Sequence, residues 1–413
     1  MNRQFDFGRR ARLVTLVDQA LYTGTNFLLA ISLAALAGME ALGHFALIIS
    51  VSAFLHSVYV GVILEPLTVF ASETKKKRLR TIYAHAAAVI TVGAFAIGGL
   101  LLWVGEAAGL AYVTDIALGF VVFGGQSTVL CGKRSLLMRG NVVGSALVSA
   151  LYFAGAAAVA IYFYATDSFD EYGVVGAIVA ASVLASGKWW LRSILRRCSL
   201  DEFRRAVGVV REYTLWTVLT SLPASVSLYG IYWIAEFAAS RDVVGLLKLC
   251  EQLLTPFFQI AMTMSMLDQI ESAREYESAD HSQVALRLAR RTKSYQLLAA
   301  GYVIVLVIAV FAYHWIGGQI TAGFLPALLL YCVIPFVYAY SIPRNVAAKA
   351  RRRPEFNALA YSGMALTVIL VGVLWLPGQL AGLVAVLALG WCVNATILSF
   401  KVSGMLGEMK RAT

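Results

Sequence analysis

Residues 192–211 read RSILRRCSLDEFRRAVGVVR. This stretch lies at the midpoint of a 413-residue chain, between two long apolar runs, and carries six arginines. Ser199-Leu-Asp-Glu202 has the S-x-x-E spacing of a helix capping box. Leu200, Phe203, Val207 and Val210 then recur at helical spacing, while Arg204, Arg205 and Arg211 take other faces. The segment reads as an amphipathic helix on a membrane surface, a connector over 199–212 between two halves of the chain.

The pattern around it repeats along the whole sequence. Of 34 Lys and Arg residues, all but Lys188, Arg241 and Lys248 fall in seven clusters: Arg3–Arg12, Lys75–Arg80, Lys133–Arg139, Arg192–Arg211, Arg274–Lys293, Arg344–Arg353 and Lys401–Arg411. The intervening breaks are short and nearly free of Lys and Arg. The longest of them, Thr166-Asp-Ser-Phe-Asp-Glu-Tyr-Gly173, is acidic. Translocated loops are depleted of Lys and Arg, so the clusters mark the cytoplasmic side. Seven clusters on one side require twelve crossings, with both termini cytoplasmic. The expected spans are 13–37, 43–70, 82–104, 108–131, 142–164, 173–195, 213–238, 242–268, 295–316, 321–342, 356–376 and 381–400. The inner loop at 269–294 is charged and expected to be partly helical.

Composition agrees. The chain is 60% hydrophobic and 14% charged, and each apolar run is about 20 residues or longer, enough to span roughly 30 Å of hydrocarbon as a helix. Backbone groups in lipid must be satisfied within the segment, which favours helices. The ten-residue alternating segments of a membrane barrel are absent. The net charge of +11 is divided among loops, where topology explains it; it favours anionic lipid headgroups rather than nucleic acid. Five dispersed cysteines form no C-x-x-C pair and read as buried small thiols. No loop is long enough for a folded domain.

The halves echo each other. Arg134-Ser-Leu-Leu-Met-Arg-Gly140 and Arg344-Asn-Val-Ala-Ala-Lys-Ala350 share the order Arg, polar, three apolar, basic, small, at an offset of 210. Leu42-Gly-His-Phe in the first half matches Val244-Gly-Leu-Leu in the second. These matches suggest a parallel six-plus-six repeat: a lobe over 1–198, the connector, and a lobe over 213–413.

Ionisable groups in apolar spans are costly and mark candidate sites. The first span carries Asp18, Gln19, Tyr22, Thr23, Thr25 and Asn26, of which Asp18, Tyr22, Thr25 and Asn26 share a face. They read either as a hydrophilic cavity wall or as interhelical hydrogen-bond glue. In the eighth span Lys248, Glu251 and Gln252 stand at i, i+3 and i+4. They read either as a self-neutralised pair or as a site where Lys248 meets an anion and Glu251 titrates. Asp115, Glu236, Lys188 and Glu65-Pro66 complete the unusual charges. His44, His56, His85 and His314 have no ligand spacing, so no metal is expected. Pro223 and Pro256 permit bends. No P-loop, G-x-S-x-G or H-E-x-x-H motif occurs, and no enzyme is expected.

Asp18-Gln-Ala-Leu, Gly24-Thr-Asn-Phe27, Leu42-Gly-His-Phe-Ala46 and Leu64-Glu-Pro66 follow the opening order of O-antigen and exopolysaccharide exporters. With the basic turns before the fifth and eleventh helices and the Gly245-Leu-Leu segment, the chain resembles the polysaccharide flippases of the MOP (multidrug/oligosaccharidyl-lipid/polysaccharide) exporter superfamily. The resemblance implies two six-helix lobes around a central cavity in a bacterial cytoplasmic membrane, rocking between inward-open and outward-open states. It implies an oligosaccharide cargo on an isoprenoid diphosphate, and partners among membrane lipids and other polysaccharide-assembly proteins. A saccharide head needs a polar route, because its hydroxyls lose water in hydrocarbon. Arg134, Arg139, Arg344 and Lys349 stand where the diphosphate arrives, though topology alone also accounts for them. Tyr22, Tyr229, Tyr232 and Trp233 are candidates for stacking on sugar rings. No organic cofactor is expected; coupling to H+ or Na+ would draw on Asp18 and Glu251. The alternatives are a multidrug exporter and, from a different class, a polymerase or ligase of polysaccharide assembly. Short outer loops disfavour the enzymes.

Overall fold

The computed structural model describes residues 9–65, 77–137, 141–195, 200–275, 281–315, 323–351, 353–375 and 379–412. Every regular element among them is a helix: α1 (Arg9–Leu36), α2 (Met39–Tyr59, continued by a π-helical turn at Val60–Leu64), α3 (Lys77–Ala108), α4 (Ala111–Leu137), α5 (Val142–Ala165), α6 (Glu171–Ile194), α7 (Leu200–Ala238), α8 (Arg241–Glu275), α9 (His281–Trp315), α10 (Phe324–Tyr331), α11 (Val333–Ala350), α12 (Pro354–Trp375) and α13 (Leu380–Ala412). Among the described residues, twelve stretches are long and apolar enough to cross a membrane, with α10 and α11 together forming one of them. The chain is an all-α polytopic membrane protein. It divides into two compact units, Met1–Val218 and Leu219–Thr413.

Several boundaries differ from expectation where a helix outlasts its apolar run. The connector at 199–212 and the seventh span belong to one unbroken helix, α7; Ser199 lies outside the described residues. The fourth span was expected to stop at 131, but α4 runs to Leu137. The tenth span, expected to stop at 342, continues in α11 to Ala350. The inner loop at 269–294 is partly helical, as expected: α8 runs to Glu275 and α9 starts at His281. A helix need not end where hydrophobicity does, since its backbone bonds are satisfied in water and lipid alike. Pro223 and Pro256 both sit inside continuous helices.

Short turns set the antiparallel run of the first unit. Gly38 and Gly109 adopt φ of 94° and 65° between α1 and α2 and between α3 and α4, where a side chain would be strained. Asn141 and Asp170 cap α5 and α6, accepting from the Gly144 and Gly173 amides at 2.8 and 2.7 Å. Small residues then let helices approach. A methyl group on Gly119 of α4 would lie 2.5 Å from Val51 of α2. Hydroxyl pairs join neighbours where the interior is polar: Thr91 with Ser127 at 3.0 Å and Thr128 with Ser186 at 2.5 Å. In the second unit α11 packs on α8, α9 and α13, and α12 packs on α13.

Candidate functional site

The polar face of α1 meets α4 and α5 in the first unit. Asp18 is fully buried. Its Oδ1 lies 2.8 Å from the Lys133 ammonium of α4 and accepts from Ser149 of α5 at 2.5 Å, while Oδ2 accepts from Ser145 at 2.7 Å. Lys133 is also buried, its ammonium 4.5 Å from the centre of the Tyr22 ring. Tyr22 leans on Tyr152, ring centres 5.3 Å apart, and Tyr152 donates to Asn26 Oδ1 at 2.9 Å. Asp18, Tyr22 and Asn26 thus belong to one network across three helices. Thr25 differs: its hydroxyl donates to the Leu21 carbonyl of its own helix at 2.7 Å. It lines an apolar cavity of about 260 Å³ between α1 and α5, with Leu28, Leu29, Ser32, Phe153 and Ile161 among the other walls.

Lys133 and the two serines were not singled out by the sequence reading. By sequence Lys133 belongs to the basic loop, because the expected span ends two residues before it. The extension of α4 to Leu137 carries it into the bundle. A signal did exist: Asp18, nine residues into α1, requires a counter-charge at similar depth, and Lys133 is the basic residue one turn from the end of α4.

The second unit holds a related group. Lys248 is buried with its ammonium 2.8 Å from Glu251 Oε2 on the same helix. Tyr232 of α7 donates to that same oxygen, and its ring centre is 5.5 Å from Lys248. Gln252 is buried on the next position. The Glu251 side chain is 26% exposed, so this cluster touches its surroundings while Asp18 does not. Tyr232 is buried, which removes its ring from any sugar. Glu236 pairs with Arg241 at 3.1 Å near the α7–α8 turn.

Among the described residues, the two basic turns of the repeat are helical. Arg134 lies in the last turn of α4, half-buried. Arg344 lies inside α11, also half-buried, and donates to the Tyr340 carbonyl at 2.6 Å with its guanidinium over the Tyr340 ring. Lys349 is in the last turn of α11. Arg139 lies outside the described residues. Among the described residues there is no cluster of His, Cys, Asp and Glu that could hold a metal ion.

A third polar group joins helices of the first unit at the end opposite the basic clusters. His44 of α2 contacts Asp115 of α4 through Nε2 and lies 2.7 Å from Glu171 of α6 through Nδ1. The histidines read from sequence as scattered; the fold places one of them between two carboxylates.

No protein-family model matches the sequence, and no curated protein matches it. Solved structures do. A MOP superfamily transporter from Pyrococcus furiosus, described as having a binding pocket of reverse polarity that suggests a different function, aligns at 14% identity and TM-score 0.67, over 97% of this chain and 95% of that one. A multidrug resistance MATE family transporter of the MOP superfamily aligns in its outward-facing conformation at 14% identity and TM-score 0.65, over 98% and 96%. The inward-facing conformation of such a transporter aligns at 15% identity and TM-score 0.62, over 98% and 96%. The fold of this chain is that of the MOP superfamily transporters.

Proposed function

We propose that the chain is a membrane transporter that flips an oligosaccharide linked to an isoprenoid diphosphate across a bacterial cytoplasmic membrane, by alternating access between its two six-helix lobes. The observation that carries this reading is the placement of Arg134 and Arg344. Each stands within the fourth span of its unit, half-buried, rather than in a solvated loop. A topology signal works equally well from a loop. A guanidinium at the rim of a bundle has a further use, because it binds phosphate oxygens in a bidentate fork. Lys349 lies further along α11, in its last turn, and Arg139 follows Arg134 in the sequence. The lipid tail stays in the bilayer while the polar head passes between lobes. Asp18 and Glu251 are the groups proposed to couple transport to H+ or Na+; transport into vesicles that ignores both gradients excludes this.

Replacing Arg134 and Arg344 together by Gln is expected to lower polymer export about tenfold or more, the scale of one lost charge-assisted contact. Lipid-linked saccharide should accumulate on the cytoplasmic leaflet. Replacing Arg274 and Arg287 leaves export near normal. Equal, small effects from both pairs would sink the cargo role of the arginines. A second reading, export of small apolar compounds, has its own support in the apolar cavity between α1 and α5 and in the multidrug transporters among the structural neighbours. Deletion that changes drug tolerance and leaves export intact would favour it.

A further inference from the structure

The group at the far end of the first unit has an unusual proton count. A carboxylate only accepts hydrogen bonds, and a neutral imidazole carries one N–H. Both ring nitrogens of His44 face carboxylate oxygens, of Asp115 and of Glu171. Two such bonds need two protons. The cluster therefore holds one proton more than a neutral histidine between two ionised carboxylates. The carboxylates suit this place: Asp115 is in the second turn of α4 and Glu171 in the first turn of α6, near the positive ends of both helices. The other titratable group facing His44 from α6 is Tyr172, which meets the ring edge-on at 5.6 Å. On α2 itself Glu40 lies one turn earlier. The half of α1 beside this end, 27–36, has no titratable side chain.

We propose that His44, Asp115 and Glu171 form a proton-binding clasp that ties α2 and α4 to the start of α6, and that loss of the proton frees the α5–α6 turn. The burial of the partners decides which bond is lost. Asp115 is fully buried, and its Oδ2 has no hydrogen-bond partner among the described residues. The Glu171 side chain is 16% exposed. A neutral His44 has one N–H to give. Removing it from Asp115 would strand a buried charge, whereas Glu171 can turn to water. The clasped state binds one proton more than the released one, so the clasp weakens as pH rises. It holds whatever the cargo, since it draws on neither the Asp18 network nor the basic rims.

The test is hydrogen–deuterium exchange on the full chain in lipid nanodiscs, following peptides over 160–175 from about pH 5.5 to about pH 8.5, a range that brackets an ordinary imidazole. With intrinsic exchange corrected, wild-type protection should fall about tenfold across the range. His44→Gln should show low protection at every pH. Glu171→Gln should lose most of the pH dependence while peptides of α12 in the second unit stay unchanged, which separates clasp loss from misfolding. Should His44→Gln not fold, Glu171→Gln alone decides the matter. Protection in wild type that is flat with pH, or a pH dependence that survives in either variant, overturns the clasp.

Discussion

Each unit buries a lysine against a carboxylate with a tyrosine beside it, and the two clusters are built differently. In the first, Asp18, Lys133 and the serines come from α1, α4 and α5, so every bond crosses between helices. In the second, Lys248 and Glu251 are three residues apart on α8, and Tyr232 arrives from α7. The first is a staple: it opens only if helices separate. The second survives any rigid movement of α8, and its carboxylate is partly exposed. One pattern of residue types can thus either hold a bundle together or carry a charge that faces outward, according to which helices supply the members.

The contrast can be broken most directly by removing each lysine. Lys133→Ala leaves Asp18 buried and unneutralised, and breaking such a pair costs about 3–5 kcal/mol. Lys248→Ala should cost about 1–2 kcal/mol, since Glu251 keeps the Tyr232 hydroxyl and can reach water. Apparent unfolding temperatures in detergent compare the two; equal losses would erase the distinction. At the next scale, Ser149→Ala removes a hydrogen bond to a buried charge, worth about 1.5–3 kcal/mol, and Tyr232→Phe removes one from a partly hydrated charge, about 1 kcal/mol. The reverse order would place the more rigid cluster in the second unit. The smallest effect belongs to Thr25→Val. Its hydroxyl bonds only its own helix, so stability should change by less than about 1 kcal/mol. A loss as large as that of Ser149→Ala would bring Thr25 into the Asp18 network.

Much of this was legible in the residues and some was not. The polar face of α1 was visible as Asp18, Tyr22, Thr25 and Asn26 at helical spacing, and the Lys248–Glu251 pair at i, i+3. Both are local patterns. The partners of Asp18 were hidden because they are 115 to 131 positions away and because Lys133 resembles any residue of a basic loop. Thr25 shares the face, yet its hydroxyl bonds backwards to Leu21 while its side chain lines the cavity between α1 and α5. His44 offered no sign of its role, since its carboxylates are 71 and 127 residues distant.

The chain by itself determined its twelve apolar spans and that its regular structure, among the described residues, is helical. Those properties follow from the length of apolar runs and the solvation of backbone and charge, which act on each segment separately. Only the tertiary structure decided that Lys133 neutralises Asp18 and that His44 sits between two acids. Pairing depends on helix rotation and depth, and a shift of one residue turns a side chain by about 100° and moves it about 1.5 Å. The same residues could have faced lipid, water or one another; packing selected the last.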